Sequence, residues 1–170
     1  KYGIYVMLTL GDADVPSNAY YYQLQGGSNL ARNYMYMDSR GVAARTAYAR
    51  NVVSYFHEFA PDCISGILSI ALQNEFAVYG DHWPFDNATT GRQTLANGET
   101  YDMDNVDERE AAYRESVLYY LNEMVKAIKT VDPDMLVNEG SFTRNIVGNN
   151  DVYGMQGFTS GDNRQPATFD

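Results

Sequence analysis

The stretch GILSIALQNEFAVYGDHW, residues 66–83, decides the predicted fold. Its apolar run over residues 67–72 is nearly continuous, which is typical of a strand buried on both faces of a parallel sheet covered by helices. Asn74 and Glu75 follow almost directly. Since the chemistry of such sheets and barrels lies where strands end and loops begin, this amide–carboxylate pair is a candidate functional site. The alternative interpretation is that Glu75 merely begins a solvated loop.

The segments on either side predict alternating strands and helices. Alternating apolar residues predict an earlier strand over residues 2–10, and apolar stripes at three- and four-residue steps predict helices over residues 42–59 and 108–130. A short strand is expected over residues 135–137. Connections of this length predict parallel strands joined by right-handed crossovers. The sequence therefore predicts an α/β fold without an internal domain boundary.

The remaining segments give less definite expectations. Residues 11–40 and 77–105 lack a sustained period, and we expect them to form long folded loops. Asp107 is expected to cap the second helix, with Glu110 at the third helical position of a capping box. One further strand is expected over residues 151–158.

Composition narrows the range of partners. A formal charge of −10 and a pI near 4.5 argue against nucleic acid and against an anionic membrane surface, whereas a neutral ligand is compatible. No stretch approaches the roughly 18 consecutive apolar residues of a membrane span. The single Cys63 cannot form an intrachain disulfide and leaves the compartment open. The 15 Tyr residues offer flat apolar faces edged by hydroxyl groups, which suits amphipathic ligands such as sugars.

Two sequence patterns resemble metal sites, but each lacks residues that the site requires. His57 and Glu58 lie on the first predicted helix, but Pro61 stands where a zinc-protease motif needs its second His. The acidic residues over 102–107 lack the Gly and the distal Glu of a calcium loop. The sequence therefore predicts no metal ligands.

Residues 67–83 resemble the fourth-strand motif of the large clan of retaining glycoside hydrolases with (β/α)8 barrels, which includes cellulases, β-mannanases and β-galactosidases. The hallmark of that motif is a strand ending in Asn-Glu, followed by an aromatic residue and a Gly-containing loop, here Asn74-Glu75-Phe76 and then Tyr79-Gly80. Residues 1–11 look like the third strand, residues 36–63 like the loop and helix before the motif, and residues 136–142 like the fifth strand.

The resemblance implies a TIM barrel, no cofactor and a carbohydrate substrate. It implies that Glu75 is the general acid/base and that Asn74 hydrogen-bonds the 2-hydroxyl of the sugar. Retaining hydrolysis needs one protonated carboxyl and a second, ionised carboxyl about 5–5.5 Å away. Apolar neighbours such as Phe76 and Trp83 would raise the pKa of the acid by desolvation.

The resemblance also implies substrate-binding residues in the loop after the strand. Trp83 and Tyr79 are candidates for stacking against sugar rings, as are the tyrosines at positions 20–22, and His82 is a candidate binding residue in the same loop. Glu139 follows the next predicted strand and could face the same cleft. We expect it to bind substrate or support the site, with the role of nucleophile as the alternative.

In this clan the nucleophile is a Glu at the end of the seventh strand, whereas the predicted strands here reach only about the sixth. We therefore expect residues 1–170 to form a partial (β/α)8 catalytic domain, about strands three to five or six, with the nucleophile outside this chain. Unpaired edge strands then predict completion by the remainder of a larger chain or by a homo-oligomer. A non-catalytic carbohydrate-binding barrel remnant and an unrelated small α/β domain are the alternatives.

Overall fold

The computed structural model describes residues 3–11, 19–27, 30–74, 76, 78–80 and 82–139. The predicted strand over residues 151–158 lies outside this part of the chain. The described elements, in chain order, are β1 (Val6–Thr9), α1 (Ala19–Leu24), α2 (Tyr34–Met37), α3 (Ser39–Phe59), α4 (Pro61–Ile64), β2 (Ile67–Ala71), β3 (Arg92–Thr94), β4 (Thr100–Asp102), α5 (Val106–Val131) and β5 (Val137–Asn138).

Three strands form a parallel sheet in the order β1-β2-β5, which is also their order along the chain. Leu8 pairs with Ile70, and Ile70 pairs with Val137 on its other side. The prediction of parallel strands joined by helical crossovers is therefore confirmed for these three strands. Closure into a barrel stays a prediction.

Helices α3 and α5 pack against each other and against one face of the sheet. Leu8, Ile70 and Val137 point to that side and join the same apolar core as the helices. On the other face, the Asn138 side-chain amide lies 3.2 Å from the Ser69 hydroxyl and 3.5 Å from the Met7 sulfur. The described residues thus form two layers, helices on sheet.

The face away from the helices is open at its two edge strands in the part of the chain that the structure describes, although Ala71 on the central strand is buried. Met7 is 59% exposed and Leu136 is 60% exposed. Burial of β2 is also incomplete, because Leu68 is exposed near its amino end whereas Ile70, Ala71 and Leu72 are buried. The expectation of a strand buried on both faces is therefore wrong for the amino-terminal half of β2.

The two long helices begin at side-chain caps. The Asp38 carboxylate accepts a hydrogen bond from the Arg40 backbone N–H at the start of α3. At the start of α5, the Asn105 side-chain oxygen accepts from the N–H groups of Asp107 and Glu108. The expected capping box at Asp107 is therefore wrong, because Asn105, two residues earlier, satisfies the free N–H groups of the first turn.

Both expected long loops contain regular structure. The first includes the short helices α1 and α2, and α3 begins at Ser39, earlier than expected. The second includes an antiparallel hairpin of β3 and β4 around Asn97-Gly98, where Gly98 has a φ of 85°. Asn-Gly between two extended segments is a strong hairpin signal, because glycine readily adopts positive φ.

Candidate functional site

The carboxyl ends of the three parallel strands meet at one edge of the sheet. The Asn74 N–H donates to the Gly11 carbonyl at 2.7 Å, and the Leu72 N–H donates to the Asn138 carbonyl at 2.9 Å. The residues that follow β1, β2 and β5 are therefore brought side by side. This edge, which we call the strand-end rim, is where ligands bind in parallel α/β sheets.

Two of the carboxyl and amide groups predicted from the sequence lie on the strand-end rim within the described residues. Asn74 is exposed there. Glu139 is half-buried; its Oε2 atom is buried and accepts no hydrogen bond in the described part of the chain. Glu75, the predicted acid/base, lies outside the described residues. Asn74 and Glu139 therefore follow neighbouring strands and lie on the same rim.

The three predicted loop residues Tyr79, His82 and Trp83 lie together, held by one buried amide. The Asn33 side-chain oxygen accepts from the Tyr79 N–H at 2.8 Å. Its side-chain nitrogen donates to the Tyr79 carbonyl at 2.6 Å and to the His82 carbonyl at 3.3 Å. Asn33 thereby fixes the backbone from which all three side chains extend.

Aromatic side chains pack along this loop. The Trp83 ring stacks on Tyr34 with centroids 4.5 Å apart and an interplanar angle of 8°. The Tyr79 ring lies 5.4 Å from the His82 ring, and the Arg32 guanidinium lies 4.5 Å from the Tyr79 centroid. We call Tyr34, Tyr79, His82 and Trp83 the aromatic shelf. Its side chains are half-buried, which combines fixed geometry with exposed ring surface.

A buried polar network lies beneath the end of β2. The Arg45 guanidinium, fully buried, donates to the Leu72 carbonyl at 2.8 Å and to the Gln73 side-chain oxygen at 3.3 Å. The Gln73 amide donates in turn to the Tyr36 hydroxyl, and Arg45 Nε lies 3.4 Å from the Tyr120 hydroxyl. These bonds fix the two residues that precede Asn74.

Burial keeps the Tyr36 phenol of this network protonated. Desolvation, followed by repulsion from Tyr120, raises the pKa of the Tyr36 phenol well above its usual range, although Arg45 and Gln73 partly oppose this. Tyr36 is therefore neutral at physiological pH and accepts a hydrogen bond from Gln73 while remaining protonated. Phe76 packs on the same cluster, with its ring 4.9 Å from that of Tyr36.

Several of these groups were not predicted as site residues. Asn33 and Tyr34 belong to a segment expected only to be a folded loop. Arg45 sits within the apolar stripe of α3, together with Val42 and Ala49, and a charge at such a position is a signal that a buried partner exists. Tyr20, a predicted sugar-stacking residue, packs against α3 with its ring centroid 6.5 Å from that of Tyr48, and its sugar-binding role stays a prediction.

Comparison of the chain with protein-family models, with curated proteins and with solved structures gives no match. In the described part of the chain, no helix is both long and apolar enough to span a bilayer. The same part holds no group of three or more His, Cys, Asp or Glu side chains arranged for a metal ion.

Proposed function

We propose that this chain is a central portion of a (β/α)8 barrel in a retaining glycoside hydrolase that acts on β-linked sugars. The observation that carries the proposal is the strand-end rim, where Asn74 and Glu139 follow adjacent parallel strands. Neighbouring strands lie about 4.8 Å apart, so groups on them can contact one small substrate. The chain's net charge of −10 disfavours an anionic substrate and is compatible with a neutral one.

Strand order gives independent support. The strands β1, β2 and β5 follow chain order, and α3 and α5 both lie on one face, as in a barrel. One half of an open doubly wound sheet has the same order, but its other face is covered by further helices. The exposed Met7 and Leu136 on the opposite face favour the barrel, whose interior that face would line.

In the proposed mechanism, Glu75 protonates the leaving-group oxygen and later activates water. Asn74 hydrogen-bonds the 2-hydroxyl of the sugar, an interaction that strengthens in the transition state. The buried network of Arg45 and Gln73 fixes the backbone before this pair, which matters because small errors of position are costly in catalysis. The nucleophile comes from outside this chain.

The aromatic shelf supplies the binding surface. Trp83 and Tyr79 offer flat faces to the apolar side of a pyranose ring, and the polar edges of Tyr79 and His82 meet its hydroxyl groups. Because Tyr34 holds Trp83 and Asn33 holds the loop backbone, little side-chain entropy is lost on binding. Glu139 is proposed as a further hydrogen-bond acceptor for the sugar.

The test is hydrolysis of aryl and alkyl β-glucosides and β-mannosides by the longest natural chain that contains these 170 residues. With an alkyl leaving group, Glu75→Gln is expected to lower kcat/KM by about 10²–10⁴-fold, the usual contribution of general acid–base catalysis. With an activated aryl leaving group the loss is smaller, because departure needs little protonation.

Glu99→Gln, an exposed carboxylate outside the rim, is the matched control and is expected to leave turnover unchanged. If Glu75→Gln changes kcat/KM by the same factor for the alkyl and the aryl substrates, or leaves both unchanged, the proposal is contradicted. Sugar binding without turnover in the longest chain also contradicts it, and favours a non-catalytic binding module.

A further inference from the structure

Arg32 combines a strained backbone with a contact to the aromatic shelf. Its φ is 57°, in the left-handed region that residues with a Cβ atom rarely adopt. At the other described positions with positive φ the residue is glycine, namely Gly3, Gly26, Gly27, Gly91 and Gly98. Glycine would relieve the strain at position 32 as well. Since arginine is unfavourable there for folding alone, its side chain is expected to have a function.

The guanidinium of Arg32 lies over one ring of the shelf. Its central carbon is 4.5 Å from the Tyr79 ring centroid, which is within the range of a cation–π interaction. The same Tyr79 ring lies 5.4 Å from the His82 ring between centroids. All three side chains are half-buried, so each is partly screened from water and keeps some accessible surface. The stacked cation therefore restricts the orientation of the Tyr79 ring.

The residues that follow Arg32 contact the same loop. Asn33 has a right-handed helical backbone, and its side chain holds the Tyr79 backbone. Tyr34 stacks on Trp83. Successive side chains of one helix point about 100° apart, so three consecutive helical residues do not normally face one loop. With the change from left-handed to right-handed backbone after Arg32, all three contact the loop that carries Tyr79 and Trp83.

We propose that Arg32 is a positioning residue of the aromatic shelf, which holds the Tyr79 ring in the orientation that binds a sugar at the rim. That Tyr79 binds a sugar rests on the function proposed above. A ring that is ordered before the ligand arrives loses less side-chain entropy on binding. Arg32 thus acts on substrate affinity and leaves the chemical step to other groups.

The kinetic test uses the longest natural chain that contains these 170 residues, with the glycosides named above. Arg32→Gly removes the guanidinium and relieves the backbone strain. We expect KM to rise by about two- to tenfold, because the Tyr79 ring must then be ordered during binding. We expect kcat to stay unchanged, as for a loss of uniform binding. Arg32→Gln, which removes the charge and keeps a side chain, should raise KM in the same way.

Urea unfolding of the same chain distinguishes a positioning role from a structural one. The midpoint of Arg32→Gly is expected to equal or exceed that of the wild type, because glycine adopts positive φ without strain. Arg50→Gln, at an exposed arginine of α3, is the matched control and should change neither KM nor the midpoint. A lower midpoint for Arg32→Gly would show that the side chain serves to stabilise the fold, which overturns the proposal.

The orientation of Tyr79 can also be measured without a sugar. An aromatic ring shifts the NMR resonances of nuclei close to it, and the His82 ring is a neighbour of Tyr79. We expect both Arg32 variants to shift the His82 ring resonances, which are assigned by their loss in His82→Gln. His57, which contacts Asp132 at the other end of α3, is the internal reference, and its resonances should not move.

This proposal and the previous one fail in different ways. A wild type that neither hydrolyses nor binds the sugars overturns the glycoside hydrolase, while the NMR comparison still decides whether Arg32 positions Tyr79. Unchanged His82 resonances in both variants overturn the role of Arg32, even in an active hydrolase. An unchanged KM in both variants overturns it as well. So does a KM that rises in Arg32→Gly alone, because the backbone and not the guanidinium would then be responsible.

Discussion

Two regions of the molecule reverse the usual relation between polarity and burial. They are the strand-end rim and the sheet face turned away from the helices. Beneath the rim, Arg45 and Gln73 are polar and buried, and each makes hydrogen bonds. On the open face, Met7 and Leu136 are apolar and mostly exposed. Both arrangements are costly for a protein that has only to fold.

The two costs have different explanations. A buried polar network fixes one backbone geometry, which is useful where a ligand must be positioned, and the rim is where we propose that Asn74 and Glu75 act. An open apolar face serves no such purpose. Parallel sheets are almost always covered on both faces, so in the proposed barrel the opposite strands cover this one. The comparison predicts large effects of substitution at the rim and small ones on the open face.

The largest effect is expected from Arg45→Ala. The substitution removes charge-assisted hydrogen bonds to the Leu72 carbonyl and the Gln73 side chain and leaves a cavity between α3 and the sheet. We expect the free energy of unfolding to fall by about 3–5 kcal/mol, measured by urea denaturation. Arg50→Ala, an exposed position on the same helix, is the control and should change it by less than about 0.5 kcal/mol. A loss below about 1 kcal/mol for Arg45→Ala would show that the network is dispensable.

Gly41→Ala is expected to have the next largest effect, because α2 and α3 approach each other there. A Cβ atom at Gly41 would lie 1.9 Å from the Tyr34 carbonyl oxygen and 3.0 Å from the Met35 Cα. Backbone atoms cannot move aside without shifting α2, so we expect a loss of about 2–3 kcal/mol of stability.

The same shift would disturb the aromatic shelf. Since Tyr34 stacks on Trp83, Gly41→Ala should also change the tryptophan emission of the native protein. Ala43→Ser, at an exposed position one residue beyond Val42, is the control and should alter neither property appreciably. Unchanged emission together with lost stability would mean that α2 does not hold the shelf.

Sequence periodicity was sufficient to predict the long helices and the parallel strands. The stripes of α3 and α5 are regular, and the strands end at recognisable turns, so their positions differ from expectation by only a few residues. Regular patterns predict regular elements because one repeating face is buried along their length.

Elements stabilised by contacts distant in sequence were not predictable. The helix α2 has four residues, too few to show a period, and Asn33 next to it is anchored to Tyr79 and His82, more than forty residues away. Likewise, nothing local to Arg45 identifies Gln73 as its partner. The β3–β4 hairpin is different: we expected only a loop there, although Asn97-Gly98 is a local signal for a hairpin.

Tyr36→Phe is expected to have a moderate effect that depends on pH. At neutral pH the variant leaves the Gln73 amide without its acceptor, which costs about 1–2 kcal/mol. The raised pKa of Tyr36 means that the folded protein favours the protonated phenol. This contribution is complete below the unfolded-state pKa of about 10 and is lost as the pH rises through the folded-state pKa.

The wild type should therefore lose stability with pH above about 10 more steeply than Tyr36→Phe, by up to about 1.4 kcal/mol per pH unit. Unfolding by urea at a series of alkaline pH values measures this difference. Tyr55→Phe, which changes an exposed phenol on α3, should keep the wild-type slope. Parallel slopes for wild type and Tyr36→Phe would contradict the burial of a neutral phenol at the rim.

The smallest effect is expected from Leu136→Ala on the open face. Because the side chain is 60% exposed, its truncation should cost less than about 0.5 kcal/mol in the 170-residue chain. Leu72→Ala, a fully buried leucine at the end of the neighbouring strand, is the matched comparison and should cost about 2–5 kcal/mol. In the longest natural chain that contains these residues, the barrel proposal requires the cost of Leu136→Ala to rise to about 2 kcal/mol or more, because the opposite strands would then bury it. If that cost stays small in the longer chain, the face is open in the whole protein, and the sheet is not part of a closed barrel.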